Sequence, residues 1–196
     1  MANKVKYGLS NVYYAVATIA SDGSATYATP VAWPGAVNLS LDADGDVTRF
    51  RADNMDYWTG TGSGGYSGDF ESALIPESFR ADVLGEITDS NGVKVEAITP
   101  TAQPFALLFQ FEGDDKATRH VLYNCVASRP AVSGATTEET VEPQTETLTI
   151  TASNIYIAAI EEHVVKARVS AENTTTYAGW FESVYKSTGT TPAVTT

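Results

Sequence analysis

The chain has 196 residues, with 24 acidic side chains against 12 lysines and arginines, so its formal net charge is −12. This length suits one large all-β domain, or at most two small domains. The single cysteine, Cys125, excludes a disulfide framework and a cysteine-rich zinc site. The excess of acidic residues disfavours a groove that binds nucleic-acid phosphates. It also disfavours binding to an anionic membrane surface.

The first residues, 1–8, include two lysines but lead into no apolar run of the kind found in secretion signals. Elsewhere no uninterrupted apolar run approaches the roughly 20 residues that a bilayer span needs. The sequence therefore predicts synthesis in a cytoplasm and no contact with a membrane.

Alternation of apolar and polar residues recurs along the chain and predicts half-buried strands of an antiparallel sheet. Val37, Leu39 and Leu41 alternate with polar residues, and three threonines alternate with apolar residues at 147–152. Strands are predicted, in chain order, at residues 11–19, 37–42, 47–53, 66–74, 93–98, 105–112, 118–127, 147–152, 155–160 and 164–169. About ten strands at this spacing favour a sandwich or a barrel.

Turn dipeptides between these strands predict three tight hairpins. They are Asp22-Gly23, Asp44-Gly45 and Asn91-Gly92, and residues 113–116 join two further strands in the same way. The second dipeptide predicts a hairpin over residues 39–53 with its tip at Asp44-Gly45.

Two segments have helical spacing. Residues 76–85 begin with a proline, place Phe79 and Val83 four apart and end with a glycine, which predicts a short amphipathic helix. Near the end of the chain, aromatic and aliphatic residues recur every three or four positions and predict a short C-terminal helix that faces the core or a subunit interface. These residues are Tyr177, Trp180, Phe181, Val184 and Tyr185.

Three segments are too polar or too rich in glycine to pack by themselves. Residues 59–68 and 133–145 are predicted to be long flexible loops, which are often functional or ordered by a partner. Residues 187–196 are predicted to form a mobile C-terminal arm, which leaves residues 1–186 as a single β-sandwich domain.

Catalytic chemistry has little support in the sequence. His120 and His163 stand apart from any nucleophile or metal-binding motif, and Cys125 is predicted to be a buried, inert thiol. Asp42, Asp44 and Asp46 are spaced to hold calcium, but Val47 and Asp53 stand where an EF-hand loop needs glycine and glutamate. These residues therefore favour a hydrated acidic turn, and the sequence predicts no metal, no cofactor and no enzymatic activity.

Several blocks of sequence, in order, resemble one family. The run Pro-Phe-Ala-Leu-Leu-Phe at 104–109 and the run Arg-His-Val-Leu-Tyr-Asn-Cys at 119–125 are the most distinctive. Further matching blocks lie at 52–54 with Tyr57, 65–68, 75–79, 84–86, 112–114, 128–130 and 145–150. Together they resemble the major tail proteins, or tail tube proteins, of siphophages that infect Gram-positive bacteria.

The resemblance implies a mainly β fold of the tail-tube type: an antiparallel β-sandwich or barrel with one flanking α-helix, long loops and a short C-terminal helix. It also implies a virion protein that forms hexameric rings stacked around a tape-measure protein, with tail-tip and terminator proteins as further partners. Phage DNA would then pass through the lumen without specific binding.

Two sets of residues are candidates for this assembly. The acids of the predicted hairpin, Asp42, Asp44 and Asp46, are candidates to line the lumen, while Arg49 and Arg51 share one strand face and could meet acids of a neighbouring subunit. The glycine-rich loop is the candidate for contact between rings, through Thr59, Gly62, Gly65 and Tyr66.

Alternatives from other classes stay open at this point. Trp33, Trp58, Trp180 and the tyrosines could form a stacking platform for sugars, as in a carbohydrate-binding β-sandwich. A pilus-like or capsid-decoration subunit is a further structural alternative.

Overall fold

The computed structural model describes residues 5, 7–45, 47–61, 64–98, 102–113, 116–132, 134–136 and 143–189, with only the backbone at 47, 48, 50 and 58–61. The fold is mainly antiparallel β, with two short helices. The strands are β1 Leu9–Ile19, β2 Ala25–Tyr27, β3 Val31–Ala32, β4 Ala36–Ala43, β5 Val47–Ala52, β6 Met55–Thr61, β7 Tyr66–Ser72, β8 Ile87–Thr88, β9 Lys94–Val95, β10 Phe105–Phe111, β11 Arg119–Ala127, β12 Glu146–Ser153, β13 Ile155–Ile157, β14 Glu162–Val164 and β15 Lys166–Val169. The helices are α1 Glu77–Asp82 and α2 Thr174–Ala178.

Nine strands form one large sheet in the order β2, β1, β10, β11, β12, β7, β4, with β3 beside β1 and β15 beside β11. The last strand, β4, returns to contact β1, so the sheet curls around a core. Three hairpins form separate two-stranded sheets: β5 with β6, β8 with β9, and β13 with β14.

The centre of the sheet is buried on both faces. In β10, Phe105 and Leu107 face a first hydrophobic core, while Ala106 and Leu108 face a second. Because both faces are covered, β10 is a continuous apolar run instead of an alternating one.

Different elements cover the two cores. The first core lies inside the curled sheet and takes in Phe79 of α1, together with Trp33. The second core is covered by the β13–β14 hairpin and by the segment after α2, where Trp180 is buried. The outer face of β4, β7 and β12 belongs to neither core.

Most of the predicted elements are present. Each predicted strand overlaps an observed one, and the helix predicted at 76–85 is confirmed by α1. The C-terminal helix, α2, is shorter than its aromatic stripe, since Trp180 and Tyr185 follow it in an irregular segment and pack into the second core. The short strands β2, β3, β6, β8 and β14 were not predicted.

The predicted hairpin over residues 39–53 is wrong. Strand β4 pairs with β7, and β5 pairs with β6, so Asp44-Gly45 connects two different sheets. The tight turn lies instead at Asp53-Asn54, where φ is 52° and 61°. Both residue types tolerate this left-handed conformation, and two such residues in succession make the turn that twisted hairpins favour.

The prediction of a flexible loop at 59–68 is also wrong at both ends, because β6 extends to residue 61 and β7 begins at residue 66. The glycines permit close approach of neighbouring backbones. A Cβ at Gly65 would lie 1.7 Å from the carbonyl oxygen of Ala152, and one at Gly68 would lie 2.0 Å from that of Ser40. Gly62 lies outside the described residues.

Two predicted flexible segments fall largely outside the described residues. Of the loop at 133–145, residues 134–136 and 143–145 are described, and Thr145 donates a hydrogen bond to Glu71 at 2.5 Å. Of the arm at 187–196, only residues 187–189 are described. Just before them, Lys186 Nζ donates a hydrogen bond to the carbonyl oxygen of Ala25. The domain boundary at residue 186 stays a prediction.

Candidate functional site

The outer face of β4, β7 and β12 is the most distinctive polar surface of the chain, and we call it the hydroxyl-acid face. Strand alternation creates it, since Leu39, Phe70 and Leu148 point into the first core and their neighbours point out. Its side chains are Asn38, Ser40, Asp42, Ser67, Asp69, Glu71, Thr147, Thr149 and Thr151.

Strand register arranges these side chains in rows across the sheet. Asp69 of β7 lies between Ser40 of β4 and Thr149 of β12. The row on one side is Asp42, Ser67 and Thr151, and the row on the other is Asn38, Glu71 and Thr147. Each row thus combines one acid with hydroxyl or amide groups.

Hydroxyl groups hold the acids in place. Thr149 Oγ1 donates to Asp69 Oδ1 at 2.9 Å, and Thr145 Oγ1 donates to Glu71 Oε1 at 2.5 Å. At the end of the face, Ser67 Oγ donates to Asp44 Oδ1 at 2.8 Å. A neutral hydroxyl leaves the carboxylate charge in place, so the face is ordered and remains anionic.

Charge on this face has one sign. The sequences of β4, β7 and β12 contain no lysine, arginine or histidine, while Asp42, Asp69 and Glu71 project outward. Carboxylates without cations on the same face repel polyanions. Threonine hydroxyls can hydrogen-bond to a polyanion, but they carry no positive charge that would hold it. The arrangement suits a surface past which a phosphate backbone moves without binding.

The predicted lumen residues are divided between two sheets. Asp42 lies on the hydroxyl-acid face and Asp44 at its end, whereas Asp46 lies outside the described residues. Arg49 and Arg51 do share a face, but they belong to the separate β5–β6 hairpin.

The two arginines of this hairpin meet an acid of their own chain. Asp56 of β6 lies 3.7 Å from Arg49 and 3.3 Å from Arg51. These side chains remain well exposed, so two guanidinium groups share one carboxylate on the surface.

Asp69 and Glu71 were missed as site residues. The alternation in β7 was visible in the sequence, and these acids occupy its polar positions. Their importance depends on the pairing of β7 with both β4 and β12, which the sequence alone did not provide.

The predicted contact residues between rings are also divided. Thr59 pairs with Arg49 within the β5–β6 hairpin, whereas Gly65 and Tyr66 are held at the start of β7. The ammonium group of Lys166 lies 4.3 Å from the centre of the Tyr66 ring. Tyr66 therefore has a packing role within its own subunit.

Of the remaining reactive groups, Cys125 is buried, His120 is half-buried and His163 is exposed. Burial raises the pKa of the Cys125 thiol to about 12, so the prediction of a buried thiol is confirmed. His120 stacks on Phe109 with ring centres 5.1 Å apart, and His163 lies beside Tyr156. Burial also raises the pKa of Tyr27 and of Tyr123.

Within the described ranges, no three acid, histidine or cysteine side chains come close enough to hold a metal ion. Over the same part of the chain, no helix is long and apolar enough to cross a membrane.

Trp33 and Trp180 are not available for the sugar platform that the carbohydrate-binding alternative required. Trp33 is 2% exposed in the first core, and Trp180 is 1% exposed in the second. Their ring nitrogens donate to Ser72 and to the carbonyl oxygen of His120. The side chain of Trp58 lies outside the described residues.

Comparison with known proteins decides the family. A family model described as a phage tail tube protein matches residues 2–191. The chain belongs to the phage tail tube protein family. No curated protein matches it. The resemblance found in the sequence is thus confirmed, while a Gram-positive host stays a prediction.

Membership makes this tail tube protein a structural component of the phage virion that self-assembles into a tube with other tail proteins. The family is a structural one. The family match favours the tail tube over the pilus-like and capsid-decoration alternatives.

Proposed function

We propose that this tail tube protein forms hexameric rings, stacked around a tape-measure protein, with the hydroxyl-acid face turned toward the lumen. The observation that carries the proposal is the single sign of charge on the exposed face of β4, β7 and β12. Asp42 keeps its predicted place in the lining, and Asp69 and Glu71 join it.

Electrostatics gives this lining its function. Double-stranded DNA carries about one negative charge per 1.7 Å of its axis, and proteins hold it by neutralising those charges with lysine and arginine. Carboxylates at Asp42, Asp69 and Glu71 oppose such binding, so DNA slides through a lumen that they line.

Ring formation requires a head-to-tail contact that closes by rotation. Strand β4 ends the large sheet; among the described residues it pairs only with β7, and part of it also contacts β1 without pairing. An unpaired edge of this kind is open to a strand of another chain. It is therefore a suitable contact between neighbours in a ring.

Contact between rings is assigned to the β5–β6 hairpin, which lies off the large sheet. This hairpin retains Thr59 and leads to Gly62, while Gly65 and Tyr66 leave the candidate set. Tape-measure, tail-tip and terminator proteins complete the proposed set of partners.

The lining is tested by changing its charge while keeping its shape. In the variant Asp42→Asn, Asp69→Asn, Glu71→Gln, the amides can still accept the hydroxyl hydrogen bonds. We expect normal hollow tubes in negative-stain electron microscopy but slower DNA ejection from phage that carry the variant. Substituting all three positions by lysine should stall ejection in a way that high salt relieves.

A control variant neutralises acids far from the face. Glu161→Gln with Glu162→Gln changes two exposed residues of the β13–β14 hairpin and should leave ejection unchanged. Equal ejection rates for wild type, the neutral triple variant and the lysine variant would contradict the lining. Failure of the wild-type protein to form hollow stacked rings with its tail partners would contradict the tube itself.

A further inference from the structure

A cavity opens beside the first core, where β10 ends and where β7 and β11 begin. Its volume is about 190 Å³. Four of its lining side chains pack against that core and yet stay only partly buried: Leu39, Leu41, Tyr66 and Phe111. Protein interiors contain few voids larger than a water molecule, so a space of this size is a distinct feature of the fold.

Aromatic rings make up much of the lining. Phe109 and Phe111 meet edge to face with their ring centres 5.6 Å apart, and the ring of His120 stacks on Phe109 at 5.1 Å. Ring faces and edges of this kind suit a planar guest. An apolar cavity of about 150 Å³ is large enough to bind benzene. This cavity therefore has room for one aromatic ring with a small substituent.

Lys166 supplies a positive charge at the edge of the cavity. Its ammonium group lies 4.3 Å from the centre of the Tyr66 ring, and the residue is exposed. The described residues that line the cavity include no aspartate or glutamate. Within the same part of the chain, no carboxylate forms a salt bridge with Lys166. A cation without an acid partner beside an apolar space favours a ligand with a negative charge.

We propose that this cavity binds a small aromatic carboxylate, with the ring against Phe109 and Phe111 and the carboxylate at Lys166. An apolar lining with a few well-placed polar groups is typical of ligand sites, which often lie in the mouths of curled sheets. Leu39 and Tyr66 line the cavity from the inner side of β4 and β7, opposite the hydroxyl-acid face. The proposal is thus independent of the function proposed above.

Fluorine NMR with para-fluorobenzoate tests the site on the full-length protein. We expect saturable broadening of the fluorine signal. The uncharged para-fluorobenzamide has nearly the same shape and should bind about fivefold more weakly or less, because it lacks the charge that Lys166 attracts. Amide signals of the protein should shift near Phe109, Phe111 and Lys166, while those of the β13–β14 hairpin should stay in place.

A lysine variant tests the role of the charge. Lys166→Met keeps a long unbranched side chain, so the affinity for fluorobenzoate should fall about fivefold or more, to that for fluorobenzamide. The affinity for fluorobenzamide should not change. The matched control, Lys94→Met, removes the same charge from the β8–β9 hairpin and should alter neither affinity. Both variants change the net charge equally, so a difference between them reports the position of the lysine.

A second variant tests the cavity itself. Leu41→Trp places a large ring in the space and should abolish binding of both ligands, and circular dichroism establishes whether the variant folds. If it does not fold, the comparison of Lys166→Met with Lys94→Met decides the proposal.

Several results would overturn this site. They are the absence of saturable binding by wild type, amide shifts confined to surfaces away from the cavity, and unchanged binding by folded Leu41→Trp protein. Equal affinities of wild type for the two ligands would overturn the choice of an anion. Equal effects of the two lysine variants would do the same.

Discussion

Replacing Ser72 by alanine should destabilise the fold well beyond the usual effect of losing one hydroxyl. Ser72 is 1% exposed, and its Oγ accepts the indole N–H of Trp33 at 2.9 Å. The same hydroxyl donates to the carbonyl oxygen of Leu74 at 2.8 Å. Removing it leaves an indole N–H buried without a partner in the first core.

The structure sets the size of the effect. A buried donor left unsatisfied costs about 1–3 kcal/mol, and we take about 2 kcal/mol for Ser72→Ala. For a domain of this size, 1 kcal/mol lowers Tm by about 2–4 °C, so the fall should be roughly 4–8 °C. Trp33→Phe removes the donor but loosens the contacts with Phe70 and Phe79, whose ring centres lie 4.9 Å and 4.4 Å away.

A double-mutant cycle separates the two effects. Free energies of unfolding are measured by urea titration for wild type, both single variants and the double variant. Because the double variant has no unsatisfied indole, its loss should be smaller than the sum of the single losses by about 1 kcal/mol or more. Additivity within about 0.3 kcal/mol would refute the hydrogen-bond argument and leave only packing.

Three further predictions concern other parts of the subunit. Arg80→Ala should cost about 1–3 kcal/mol in urea denaturation, because Arg80 bonds the partly buried Glu146 at 2.6 Å and ties α1 to β12. Gly68→Ala should prevent folding or lower Tm by more than about 10 °C, because its Cβ would lie 2.0 Å from a backbone oxygen, whereas Gly134→Ala has nothing within 4 Å. Cys125 stays protonated in the fold while the unfolded thiol ionises above its ordinary pKa of 9.0, so its contribution to stability should be lost between pH 9 and about 12.

Each of these has a matched control. Arg49→Ala removes an exposed arginine that is 66% accessible and should cost less than about 1 kcal/mol; an equal loss for Arg80→Ala would contradict the anchoring of α1. Circular dichroism compares the two glycine variants, and similar Tm values would contradict the close approach. For the thiol, Cys125→Ala should reduce the loss of stability from pH 8 to pH 10.5, and an unchanged pH profile would contradict it.

The local pattern of the sequence contained most of the fold. Alternation located the long strands, and proline and glycine delimited α1. The apolar run at 105–109 lies within a predicted strand that the structure confirms, although it does not alternate. Its burial on both faces results from coverage by two different parts of the chain, which no local pattern reveals.

Strand pairing was the part that could not be predicted. Asp44-Gly45 and Asp53-Asn54 are both dipeptides that turn easily, and only one of them closes a hairpin. The decision depends on which neighbour β4 gains, and β7 offers a longer pairing from Ala36 to Ala43. In the same way, a glycine-rich sequence is typical of a flexible loop and also of a place where neighbouring backbones approach closely. The structure shows close approach at Gly65 and Gly68.

In the candidate site, too, some residues can be placed from local pattern and others only from strand pairing. Asp42 was named as part of a hairpin that does not form, and alternation within β4 is what places it on the polar side of that strand. Asp69 and Glu71 gain their meaning only when β7 lies between β4 and β12, so that three strands present one face. Sequence patterns assign a residue to the side of a strand, and topology assigns that side to a surface.

The two halves of the large sheet differ in the polarity and the coverage of their outer faces. Over β1, β10 and β11, the outer face is apolar and is covered by β13, β14 and the C-terminal segment. Over β12, β7 and β4, the covering segments are absent among the described residues, and the outward positions become threonine, serine and acids. Threonine keeps the β-branched shape that strands favour while presenting a hydroxyl in place of a methyl group. The outward positions of this half of the sheet therefore offer neither a broad apolar surface nor a cation, which is the composition that the proposed lining of the tube calls for.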